Sequence, residues 1–77
     1  MLKGTREGIL KRAQPVSIHG QISLDVFFTS IEEPDGQIHV ARVGPEAVVG
    51  NIEPGDRISI DYLVGQAVKV TRIVDEL

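Results

Sequence analysis

Apolar residues recur at every second position from Val16 to Phe28: Val16, Ile18, Ile22, Leu24, Val26 and Phe28 alternate with Ser17, His19, Gln21, Ser23 and Asp25. Successive side chains of an extended strand point to opposite faces, so this period predicts one long strand over residues 16–30 with a single buried face. Gly20 takes an inward position in that run and predicts a bulge or sharp bend. The period returns at Ile58, Ile60, Tyr62 and Val64, predicting a strand over residues 57–64, and again at Val68, Val70 and Val74 for the last strand.

Turn residues punctuate these runs. Glu33-Pro34-Asp35-Gly36-Gln37 combines a preset first turn position with a glycine that accepts positive φ, and reads as a three-residue hairpin loop. Its pairing sets Glu33 opposite Gln37, Ile31 opposite His39, Ser30 opposite Val40 and Phe28 opposite Arg42. Even-numbered residues then share the inner face, with Arg42 at its rim. Residues 44–50 predict one helical turn, with Pro45 near its start, Glu46 favoured by the dipole, Gly50 ending it, and Ala47 and Val48 plugging one end of the sheet. Residues 52–56 predict a tight turn with Gly55 at positive φ. Gly65-Gln66-Ala67 reads as a three-residue loop that keeps Val64 facing Val68, and the parity break at Arg72 places a bulge near Thr71. Residues 3–13 form a less regular first strand, because Ile9 and Leu10 are adjacent and two glycines interrupt it. Ala13-Gln14-Pro15 then separates it from the long strand.

Five short strands in this order, with turns every ten or so residues, predict an all-β fold: a small five-stranded OB-like Greek-key barrel with one short helical turn. One domain covers residues 1–77. At 77 residues the chain hides only roughly 60% of the surface it exposes unfolded. With no cysteine to staple it, the apolar core must suffice or subunits must associate.

The stretch from Asn51 to Tyr62, with its Glu53-Pro54-Gly55-Asp56 turn and following Ile58 and Ile60, resembles the closing hairpin of small OB-like bacterial barrels such as the CusF-like periplasmic copper and silver chaperones. The resemblance covers about a third of the chain and extends through Gly65 to the last strand. It implies a small barrel. Those chaperones hold metal with methionines, a histidine and a tryptophan. Here there is no tryptophan and the single methionine is Met1, so none of those ligands carries over and no cofactor is expected. The short molybdate-binding barrel modules are similar in length and strand order but share no residue string with this chain.

Charge changes the functional picture more than composition does. A net charge of −3 argues against general attraction to nucleic acid or to an anionic membrane. No apolar run approaches the ~20 residues that span a bilayer. A cytoplasmic location is expected if Met1 is the native start, and a periplasmic one if a leader has been removed.

Candidate binding residues are few. Histidine is the side chain whose ordinary charge change falls near neutrality, so His19 and His39 are the first candidates for a metal or acid–base role; both fall on the outer face in the pairing above, where solvated surface histidines are the simpler reading. Glu32, Glu33 and Asp35 cluster at the first hairpin tip, as a charged turn does. Phe27 breaks the alternation and puts an aromatic ring on the outer face, where it can stack on a base or pack in a contact. Arg6, Lys11 and Arg12 make the first strand the most basic part of the chain, and Lys69 and Arg72 extend that patch if first and last strands are neighbours. Cross-strand pairing with Glu7, Asp61 or Asp75 is the simpler reading of these cations.

No serine sits with a histidine and an acid, no glycine-rich phosphate loop precedes a helix, and no carboxylate pair brackets a cleft. The expectation is therefore a non-enzymatic binding or assembly module that contacts a protein partner or its own copies. A small-ligand or metal carrier using His19 or His39 with exposed carboxylates is the alternative, and weak nucleic-acid binding through the first strand and Phe27 is the third reading.

Overall fold

A computed structural model describes residues 3–73. Six strands form one sheet: β1 (Lys3–Ile18), β2 (Gln21–Ser30), β3 (His39–Val43), β4 (Val48–Val49), β5 (Arg57–Leu63) and β6 (Gln66–Arg72), with a 3-10 turn at Pro45–Ala47 before β4. The order across the sheet is β3-β2-β1-β5-β6-β4, all neighbours antiparallel except β4, which runs parallel to β6. The fold is all-β, as the alternation requires. The sheet curls until β3 comes near β6, yet no ladder joins them, so it remains open.

β1 is the longest strand, and it serves two partners. Residues 3–9 pair with β5 and residues 8–18 with β2. Within the ladder to β2 Lys11 is an extra residue: Leu10 faces Phe28 and Arg12 faces Phe27. This bulge bends the strand and moves odd-numbered residues to the side that even-numbered ones held before it.

The expected strand over residues 16–30 is instead a hairpin. His19 and Gly20 both have positive φ, at 51° and 79°, and form a two-residue turn with Ile18 facing Gln21. A two-residue turn preserves the period of two along the sequence but reverses which face it marks. Val16 and Ile18 therefore lie on the face opposite Ile22 and Leu24. The Ala13-Gln14-Pro15 break is likewise absent, for all three residues lie inside β1, with Pro15 facing Leu24. The alternation of a hairpin closed by a two-residue turn points Pro15's nitrogen away from β2, so the missing donor leaves this ladder intact.

Phe28 faces His39, Val26 faces Ala41 and Leu24 faces Val43, a different register from the one expected. The turn itself is present, for Gly36 N–H donates to Glu33 O at 2.9 Å. It does not set the register, because Thr29 and Ser30 pair with β1 and the β3 ladder starts only at His39. Ala41 and Val43 are buried in consequence, and Arg42 stays in water, where a guanidinium avoids the desolvation that an inward position would impose.

The core is Leu10, Val26, Phe28, Ala41, Val43, Ile58, Ile60 and Val70, with Ala47, Val48, Ile52 and Tyr62 packed against it. Fully burying each larger side chain contributes about 1.5–3 kcal/mol relative to leaving it exposed. Ala47 and Val48 thus occupy the plugging positions expected of them. Gly55 has the positive φ expected of its turn.

The last hairpin also differs from expectation. Leu63 faces Gln66 across a two-residue turn made by Val64 and Gly65, both at positive φ. Val64 is therefore 67% exposed rather than inward. The bulge falls at Val68, between the Asp61–Lys69 and Tyr62–Ala67 pairs, while Thr71 and Arg72 stay in register. Val74 and Asp75 lie outside the described residues.

Candidate functional site

Strand pairing decides which expected residues meet. His19 stands at the exposed tip of the β1–β2 hairpin and His39 on β3 beside Phe28, so the length of β2 from Gln21 to Phe28 separates them, roughly 23 Å of extended strand. They do not form one site. His39 is also not on the outer face: opposite Phe28 it takes the core parity and packs its ring on the phenyl, with centroids 5.5 Å apart and planes tilted by 32°. Among the described residues no three histidine, cysteine or acidic side chains gather in a way that would hold a metal ion. No helix among them is long and apolar enough to cross a membrane.

The expected basic patch is dispersed. β1 pairs with β5, so Lys69 and Arg72 on β6 stand one strand further away. Arg72 pairs with Asp56 at 3.4 Å, and Arg57 pairs with Glu7 at 3.5 Å. Asp61 accepts the Thr5 hydroxyl at 3.2 Å and lies opposite Lys69. Arg6, opposite Ile60, has the parity of the core but lies exposed at its rim. Lys11 projects from the bulge.

Arg12 is the one basic residue of β1 brought onto Phe27. Its guanidinium carbon lies 4.4 Å from the ring centroid, a cation–π contact that covers one ring face. Phe27 is half-buried as a result, and it sits on the outer face opposite Val40. Val40 is 58% exposed, and Ile38 just before β3 is similarly open. Next along the same face, Arg42 grips Asp25 with two bonds, Nε to Oδ1 at 2.7 Å and Nη2 to Oδ2 at 3.0 Å. The donated hydrogen bond and the nearby positive charge hold the Asp25 carboxyl below its ordinary value and raise Arg42. The outer face of β1, β2 and β3 is thus an apolar strip bordered by the Arg12 guanidinium on Phe27 and by the Arg42–Asp25 ion pair.

This strip runs into a cleft that sequence reasoning missed. Where β3 and the β5–β6 hairpin converge without pairing, Val40, Ala41, Arg42, Tyr62, Gly65, Gln66 and Ala67 line an opening of about 430 Å³. A second opening of about 380 Å³ lies on the other side of the hairpin, between Gly4, Thr5, Tyr62, Leu63 and Val68. Tyr62 lines both. The clue available in the sequence was the second Xaa-Gly pair, Val64-Gly65, which has the same two-residue spacing as His19-Gly20 and places Leu63 opposite Gln66. The convergence on β3 had no local signal. Compared with family models, curated proteins and solved structures, the chain matches none of them.

Proposed function

We propose that this chain is a non-enzymatic binding module with an OB-like Greek-key arrangement that works through protein contacts, by way of the outer face and free edge of β3. The arrangement is supported by the strand order, in which β1 pairs with both β2 and β5 while β4 runs parallel to β6. The observation that carries the function is the terminal position of β3. Among the described residues it has a partner on one side only, and its outer face carries exposed Val40 beside Phe27 and Arg12. Unpaired strand edges with apolar neighbours are costly to leave in solution, and small β proteins usually guard them with charges or prolines. On β3 the one charged side chain, Arg42, is occupied by Asp25.

Gel filtration with light scattering, together with capture of partners on immobilised protein, tests this reading. The expected result is self-association or a captured protein that is lost in a V40D variant. A strict monomer that retains no protein overturns it.

A further inference from the structure

We propose that the seam between β3 and the β5–β6 hairpin is a strand-addition site, which takes an extended, apolar peptide segment of a partner protein along the free edge of β3. The proposal rests on the protein-contact reading above and specifies its chemistry. Its starting point is the hydrogen-bond alternation of the β1–β2–β3 ladder. A two-residue turn makes its flanking residues, Ile18 and Gln21, a hydrogen-bonded pair, and the pattern alternates from there. At the other end Leu10 bonds away from β2, donating to Asp56 O and accepting from Gly55 N–H at 2.8 Å each, as the same alternation requires.

That alternation directs the main chain of Leu24, Val26 and Phe28 toward β3, where they meet Val43, Ala41 and His39. The N–H and C=O groups of Val40 and Arg42 must then face the free edge. No turn, loop or side chain among the described residues bonds to them. Two donors and two acceptors, two residues apart along one edge, match the spacing of an extended main chain.

The cleft beside this edge supplies room and chemistry. Its volume of about 430 Å³ is lined by Ala41, Gly65 and Ala67, whose small size leaves space for a partner's side chain, and by Val40 and Tyr62, which favour an apolar one. Gly65 and Gln66, at the turn that closes the β5–β6 hairpin, form the opposite wall.

The test selects a short random-peptide library on the protein and synthesises the recovered peptide with and without N-methyl groups at alternate residues. Binding of the unmodified peptide should shift the amides of Val40, Ala41, Arg42, Gln66 and Ala67 and slow hydrogen exchange at Val40 and Arg42. Losing two main-chain donors should weaken it about tenfold. Val40→Pro removes an edge N–H without touching the β2 ladder, so it should keep the melting temperature within a few degrees and lose the peptide. The proposal is overturned if no peptide is recovered, if the shifted amides lie elsewhere, if N-methylation changes nothing, or if Val40 and Arg42 are protected in a dimer without peptide. A captured protein partner that binds V40P as well as wild type removes this site and leaves the broader protein-contact reading standing.

Discussion

Arg42 reaches across from β3 to hold Asp25 of β2 by both carboxylate oxygens, at 2.7 and 3.0 Å. The bond favours the ionised carboxylate, so Asp25 titrates below its ordinary value in the folded chain. Between the folded and unfolded values the unfolded chain binds more protons, and stability therefore rises with pH across that window. The contribution is complete above the unfolded value and disappears as acid protonates the folded group. A carboxyl NMR titration should find the Asp25 midpoint shifted down in the wild type and returned toward normal in R42A. An unchanged midpoint in R42A would refute the assignment.

Val64 sits at a turn position that favours asparagine or glycine. V64N should relieve the left-handed strain and stabilise the chain by about 1 kcal/mol. Urea unfolding measures this as a higher midpoint with an unchanged slope.

Gly8 lies in β1 directly under Phe28. A Cβ at this position would stand 2.6 Å from the Thr29 carbonyl oxygen and 2.7 Å from the Phe28 ring. Neither the ladder nor a fully buried ring gives way cheaply. G8A should destabilise the domain by about 1–3 kcal/mol, read as a lower melting temperature.

Thr29 buries a hydroxyl that has no hydrogen-bond partner among the described residues. Replacing it with the near-isosteric valine removes an unmet desolvation penalty, so T29V should gain about 1 kcal/mol in thermal or chemical unfolding. A loss of that size would mean the hydroxyl has a partner in solution.

Much of the interior is legible in the sequence. Val26, Phe28, Ile58, Ile60 and Val70 were inward by period alone, and all five are fully buried. The errors came where one residue of register matters. Val16 and Ile22 obey the same alternation yet lie on opposite faces, because the turn between them is two residues long. Parity alone puts Val40 and Val64 inward, yet both are among the most exposed apolar residues. The candidate site was less legible. Phe27 and Arg12 were each visible as residues, but their contact depends on the Lys11 bulge, and the cleft beside Val40 depends on strands more than twenty residues apart.

What the sequence by itself determined was the secondary structure class and the list of side chains able to fill a core, because alternation and turn chemistry act over a few neighbouring residues. Tertiary structure decided the register of β3, the length of both Xaa-Gly turns and the open seam facing Val40 and Arg42. These follow from how distant strands share hydrogen bonds and exclude water together, a balance in which Arg42 stays outside and Ala41 goes in.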